Sequence, residues 1–295
     1  MSAAETILAR VRAGQAVILS ADASSSLRAE GVPLDGAAPV GRLVRERPGE
    51  VMRHYEHEVA AGVEVLFALT SETMPRALAQ AGMAFRAAAL TGSAIEMAMD
   101  AAAHAGRPVA VAGLLGGRTG APLAADRVTE ECAMHAARLA AAGCEIILAC
   151  SVGPFASKLG RISAVISAST LRLPTWALVE ARDGKTGDGE DLSECAKSAV
   201  DSGAQVMLFE VRDEREGADT LDRVAGALGE AHAGILLADG SGDPEVWAEA
   251  AQRLTASGAH VLGGGAGTTT AHIAALVRRL NAPRTTSIRP PPPAS

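Results

Sequence analysis

The sequence predicts an α/β fold, a single (β/α)8 barrel. Eight short apolar runs recur along its 295 residues, and Ala-rich amphipathic segments alternate with them. A glycine repeatedly ends the helix just before the next run, which is the usual helix stop ahead of a strand. Eight strand-plus-helix units averaging about thirty-five residues each match the arithmetic of a closed parallel barrel. A doubly wound sheet would need fewer strands or a second domain.

The first run is Ala16 to Leu19. A long polar connection follows from Ser20 to about Pro48, with Gly31, Pro33, Gly36 and Pro39, and reads as a lid or substrate loop. Four runs carry the helix-stop signature: Ala-Gly-Val-Glu-Val-Leu at 61–66, Ala-Gly-Cys-Glu-Ile-Ile at 142–147, Ser-Gly-Ala-Gln-Val-Met at 202–207 and Ser-Gly-Ala-His-Val-Leu at 257–262. Between them lie Pro108 to Ala112, Thr175 to Val179 and Ile235 to Ala238. The last run enters Gly263, Gly264, Gly265 and Gly267, then threonines that cap a helix with Ile273, Leu276, Val277 and Leu280 on one face. The barrel is expected over 1–287, and a proline-rich disordered tail over 288–295.

Composition narrows the function. Seven aromatic residues in the whole chain argue against a base-stacking platform, and a net charge of −7 with scattered arginines makes nucleic acid an unsuitable partner. The first nineteen residues mix Glu5, Arg10 and Arg12 with short apolar stretches, unlike a secretory signal, and no apolar run reaches the length of a membrane span. The expectation is a cytoplasmic protein acting on a small-molecule substrate. Its Ala-rich outer helices leave a homo-oligomer open. Cys132, Cys144, Cys150 and Cys195 show neither CxxC nor Cys/His ligand spacing, so no disulfide or structural zinc is expected.

A barrel places its active site on the loops after the strands. Candidate groups there are Ser20 and Asp22, Thr70 and Glu72, Cys150 and Ser151, Glu180 and Arg182, Glu210, and Asp239, Ser241 and Asp243, together with the glycine loop and Thr268. His54 and His57, three apart with Arg53 beside them, read as a solvated helix face rather than a metal pair. His272, in the first turn of the last helix, reads as a packing or hydrogen-bonding residue.

The segment Gly263, Gly264, Gly267, Thr268, Thr269, His272, Ile273 resembles the end of the homocysteine S-methyltransferase family. That family has two cysteines where Gly265 and Ala266 stand here. Pro244 to Ala251, Arg45 to Pro48 and Gly184 to Leu192 are similar to further family segments. The resemblance implies a (β/α)8 barrel that transfers a methyl group from a positively charged donor to a thiol held on zinc by three cysteines. The third cysteine falls on Val211, so all three ligands are absent and no metal is expected. The family's glutamate for the amino-acid amino group falls on Cys150, and its motifs after strands 1, 2 and 7 are replaced by Ser20 to Ser25, Ala68 to Ser71 and Ala238 to Gly242.

An ordinary thiol is only about 3% ionised at pH 7, so loss of zinc removes most of the nucleophile. Three functions fit these residues. One is alkyl transfer to a small thiol or amino-acid-like acceptor without zinc, with Cys150 as candidate nucleophile and Asp22, Thr70, Glu180, Glu210, Asp239, Gly263, Gly264, Gly265, Gly267 and Thr268 as the substrate pocket. A second is a non-catalytic binding or assembly subunit. A third is a phosphate-bearing ligand on the glycine loop, which only Arg278 and Arg279 accompany.

Overall fold

Eight parallel strands form one ring in the computed structural model, which describes residues 1–117, 124–151 and 153–282. They are β1 (Val17–Ile18), β2 (Val65–Ala68), β3 (Ala110–Leu115), β4 (Ile146–Ser151), β5 (Thr175–Arg182), β6 (Val206–Val211), β7 (His232–Leu237) and β8 (Val261–Gly264). From β2 to β8 each pairs in parallel with the next, and β8 returns to β1 through Val17 opposite Val261 and Ile18 opposite Leu262. The last seam, between β1 and β2, holds a single bridge from Leu19 to Val65. Side chains complete it. The Ile18 N–H donates to Glu64 Oε2 at 3.0 Å, and the Phe67 N–H donates to Ser20 Oγ at 3.0 Å.

The expected fold is therefore the observed one, with shifted edges. The third and seventh strands run over 110–115 and 232–237 instead of 108–112 and 235–238. Gly113, Ala233 and Gly234 are poor strand formers in isolation, and the parallel ladder on both sides overrides that preference. The proline-rich tail expected at 288–295 lies outside the described residues.

Alternate residues of the strands point into the ring. Val17, Val65, Ala110, Ile146, Leu148, Trp176, Val206, Leu208 and Val261 form one apolar cluster there. The same cluster contains Ala4, Ile7, Leu8 and Val11 of helix α1 (Ala3–Arg12), which plugs the N-terminal end of the barrel. A capping box starts α1, with the Ser2 hydroxyl accepting from the Glu5 N–H and the Glu5 carboxylate accepting from the Ser2 N–H. Arg10 anchors its other end by pairing with Glu64 and donating to Ala16 O at 2.6 Å.

The outward strand residues pack against one helix per unit: α4 (Pro48–Ala61), α6 (Ala87–Ala103), α7 (Ala125–Ala141), α8 (Lys158–Ser169), α9 (Leu192–Asp201), α10 (Glu214–Val224), α11 (Pro244–Ala256) and α12 (Thr270–Asn281). Three short helices lie at the C-terminal rim. The connection expected as a lid carries α2 (Ala23–Ala29) and α3 (Pro39–Glu46), and α5 (Pro75–Ala79) follows β2. After β5, residues Lys185–Thr186 turn back antiparallel to it, and buried Arg161 of α8 ties this loop down through Glu190. No helix among the described residues is long and apolar enough to cross a membrane.

Ile7 is fully buried at the centre of the plug. Ile7→Ala should lower the unfolding free energy by about 3 kcal/mol, measured by urea denaturation, because the cavity it leaves is walled by strands that cannot collapse.

Candidate functional site

A cavity of about 210 Å³ opens at the C-terminal ends of the strands. Its floor is apolar, made by Phe67, Leu114, Leu148, Cys150, Leu178 and Leu236. Its rim is polar, with Ser20, Asp22, Ser24, His54, Ser71, Glu72 and Glu210, together with the backbone of Gly116, Gly117 and Gly264 to Ala266. Three of these groups are carboxylates, and no Lys or Arg is among the described residues that line it.

Local structure places each carboxylate. Asp22 caps α2, accepting from the Ser25 N–H at 3.1 Å and the Ser25 hydroxyl at 2.6 Å. Glu210 is the last inward residue of β6 and accepts from the Ala266 N–H at 3.2 Å, which ties the glycine loop to the barrel wall. Glu72 reaches from the loop after β2 to the start of α3, accepting from the N–H groups of Val40 at 2.7 Å and Gly41 at 3.2 Å. Burial raises its carboxyl above the ordinary value, with those two N–H groups pulling the other way.

The cavity thus gathers Asp22, Cys150, Glu210, Gly264 and Gly265 from the expected set, and the remainder stands around it. Thr70 is fully buried, its hydroxyl joining β2 to β3 by donating to Leu114 O and accepting from the Leu114 N–H at 2.8 Å. Glu180 is half-buried at the end of β5, outside the lining. Asp239 organises the turn after β7, accepting from the N–H groups of Ser241 at 2.9 Å and Gly242 at 3.0 Å, and pairs with His272 Nε2 at 3.2 Å. His272 Nδ1 accepts from the Thr269 N–H at 3.0 Å, one of the two roles its position implied. Thr268 links two loops: it accepts from the Asp22 N–H at 3.1 Å and donates to Gly265 O at 2.7 Å.

The glycines serve close approach. A Cβ on Gly263 would stand 2.7 Å from Leu19 Cβ, and one on Gly264 would stand 2.9 Å from Ala21 Cα. Gly267 has φ +88°, a left-handed conformation that favours glycine. The loop is not an anion cradle. The N–H groups of Gly264, Gly265, Ala266 and Thr268 already donate to Ser20 O, Leu237 O, Glu210 Oε1 and Gly265 O.

The residues at the zinc-ligand positions of the family resembled, Val211, Gly265 and Ala266, carry no donor atom. No group of three His, Cys, Asp or Glu among the described residues is placed to hold a metal ion. Cys132, Cys144 and Cys195 are buried away from the cavity, and burial pushes their thiols up to about 12, 12 and 11. Cys150 does face the cavity, 2% exposed, its S–H donating to Leu148 O at 3.4 Å. This donor set does not fit a zinc-thiolate centre.

His54 corrects the sequence expectation. It is 2% exposed and lines the cavity, whereas the His57 side chain is 50% exposed, and Glu30, the residue just past α2, stands beside both rings. The seven-residue helix α2 was hidden in a polar loop, though Asp22 ahead of Ala23 to Ala29 is an N-cap signal.

Residues 18–280 match the family model described as homocysteine S-methyltransferase. No curated protein matches the chain. Among solved structures, the metallated form of the homocysteine methyltransferase MmuM from Escherichia coli is similar at a TM-score of 0.75 and 19% identity, over 90% of this chain and 96% of that one. The oxidized form of the same protein gives 0.74 and 20%, with the same coverage. A multifunctional pyruvate carboxylase from Rhizobium etli gives 0.55 and 12%, over 90% of this chain and 27% of that one. At such identities the likeness to these structures is one of fold.

Burial opposes the charge of Asp239, but the N–H groups of Ser241 and Gly242, the Ser241 hydroxyl and His272 outweigh it and hold its carboxyl below the ordinary value. A lowered carboxyl stabilises the fold above the unfolded-state value near pH 4 and loses that contribution as pH falls through its own. Asp239→Asn should therefore cost about 2 kcal/mol at pH 7, and denaturation curves should show the difference from the parent shrinking below about pH 4.

Proposed function

The chain belongs to the homocysteine S-methyltransferase family, and from that premise we propose a divergent transferase that moves a methyl or other alkyl group from a cationic donor to a small thiol or amino-acid-like acceptor without a zinc-bound thiolate. One observation supports this above the others: the barrel keeps a cavity at its C-terminal end whose rim carries Asp22, Glu72 and Glu210, with no Lys or Arg among its described lining residues.

The chemistry follows from charge. A sulfonium or quaternary ammonium donor carries a positive charge that these carboxylates stabilise in a site partly shielded from water. The acceptor's lone pair attacks the methyl carbon in line, and the electron pair of the breaking bond leaves with the donor as a neutral thioether or amine. The apolar floor accommodates the uncharged part of the ligands. Binding and orientation of two reactants in one cavity supply much of the rate, since a held pair reacts far faster than a colliding one.

Zinc has no place in this scheme, because positions 211, 265 and 266 hold Val, Gly and Ala. Cys150 shapes the floor. Its S–H is given to Leu148 O, and the acceptor is the nucleophile in this scheme. The same loss of ligands favours a second function, a binding or assembly subunit that retains the barrel without turnover.

Elemental analysis of the purified protein should find no stoichiometric zinc, and chelators should leave its activity unchanged; one firmly held zinc per chain would refute the scheme. A thermal-shift screen of S-methylmethionine, adenosylmethionine, betaine, homocysteine and methionine should show stabilisation by a cationic donor, followed by mass-spectrometric detection of the methylated acceptor. Stabilisation by none of them would favour the assembly subunit. Cys150→Ser should retain at least about a third of the transfer rate, whereas a nucleophile's loss would cost a hundredfold or more.

A further inference from the structure

Building on the transferase assignment above, we propose that His54 is the general base of the cavity, the group that takes the acceptor's proton as the alkyl group is transferred. Helix α4 carries His54 and Glu58 one turn apart, and both are almost fully buried, at 2% and 1% exposure. His54 nevertheless lines the cavity. Its Nδ1 lies 3.5 Å from Glu30 Oε1, an ion-pair distance, and makes no hydrogen bond within the protein. The two ring nitrogens lie on different edges of the imidazole, so with Nδ1 beside Glu30 the proposal assigns the proton-accepting role to Nε2.

Glu58 supplies an independent observation. Its Oε2 accepts from the Ala21 N–H at 3.2 Å, while Oε1, completely enclosed, has no hydrogen-bond partner. Buried polar atoms are nearly always paired, so two unpaired ones on adjacent turns beside a ligand-sized cavity mark a site with a task other than packing. Burial raises the Glu58 carboxyl above its ordinary value, with His54, Ser20 and the Ala21 N–H opposing. Burial acts on Glu30 in the same sense, but His54 and His57 outweigh it and hold that carboxyl down.

A route for the proton is in place. Glu30 Oε1 stands 3.5 Å from His54 Nδ1 and 3.2 Å from His57 Nδ1, and the His57 side chain is 50% exposed. One ionised carboxylate thus bridges a ring in the cavity wall to a ring in solvent. In the transfer step, the lone pair of the acceptor sulfur or nitrogen forms the new bond to carbon and the donor's carbon–sulfur or carbon–nitrogen pair departs with the donor. The acceptor's proton passes to His54 Nε2. The resulting imidazolium is stabilised by Glu30, and a proton leaves to solvent by way of Glu30 and His57. Acceptor-H and onium donor become alkylated acceptor, neutral donor and one proton. His54 is the catalytic residue here, and Glu30 and Glu58 are positioning residues. The charged and titratable groups around the ring are Glu30 from the end of α2, Glu58 and His57 from α4, and Asp22 and Glu72 on the cavity rim.

Two measurements test this. Carbethoxylation of the intact full-length protein with diethyl pyrocarbonate, mapped by peptide mass spectrometry, requires no variant and no known activity. His54 should react well ahead of His135, which is equally enclosed on α7 but does not line the cavity. Equal protection of the two would overturn the proposal. The second measurement follows methyl transfer from S-methylmethionine to homocysteine across pH. His54→Gln should lower kcat about a hundredfold near pH 7 with KM for the donor unchanged, and the loss should shrink as pH approaches the thiol's own value of about 8.5. A pH profile parallel to the parent's would refute a base. His54→Asn, with melting curves for both variants, separates misfolding from lost chemistry. If the parent transfers nothing, the transferase assignment fails, and carbethoxylation still decides whether His54 is a base open to the cavity.

Discussion

The structure depends on how closely β8 can approach β1. The ring closes only if the last strand lies against the first with no side chain between them at Gly263 and Gly264, where a Cβ would collide with Leu19 or Ala21. That approach sets the hydrogen bond from the Gly264 N–H to Ser20 O at 3.0 Å, and the loop beyond it then reaches Glu210 through the Ala266 N–H and Asp22 through Thr268. The cavity wall is assembled from these consequences of one steric requirement. Closure needs these glycines whatever the chemistry of the loop.

The fold was legible because a parallel barrel buries each strand on both faces, so its strands stand out as continuous apolar runs between Ala-rich helices. Glu210 and Asp22 were legible as groups at strand ends, where barrels place their sites. His54 was not. Its neighbours Arg53 and His57 suggest an exposed face, yet the chain brings Glu30, some twenty-four residues earlier, against the ring. Local periodicity contains no such contact. The plug helix was similarly obscure, although Ser2 and Glu5 form a readable capping box. Thr70 and Asp239 stood at strand ends like true lining residues, but their side chains turn to neighbouring backbone, a choice set by loop geometry.

The cavity rim sets Asp22, Glu72 and Glu210 around an apolar floor, and such a rim suits the cationic donor proposed above better than an anionic ligand. Restoring a side chain at Gly265 would meet resistance, since a Cβ there would stand 3.0 Å from Ala238 N and 3.1 Å from Leu236 O. The site has thus settled geometrically around the smaller residue.

The plug and the β1–β8 pairing carry a kinetic consequence. Helix α1 fills the end of a ring that exists only after residues 261–264 have been added, and β1 has only one bridge to β2 until then. Contacts between such distant parts of a chain form late because a long loop must first be closed. During synthesis the first strand and the plug therefore wait until residues 261–264 have been added, leaving Ile7, Leu8 and Val11 without their barrel partners in the interval. This is a window in which a chaperone, or a second unfinished chain, would find an apolar helix to hold.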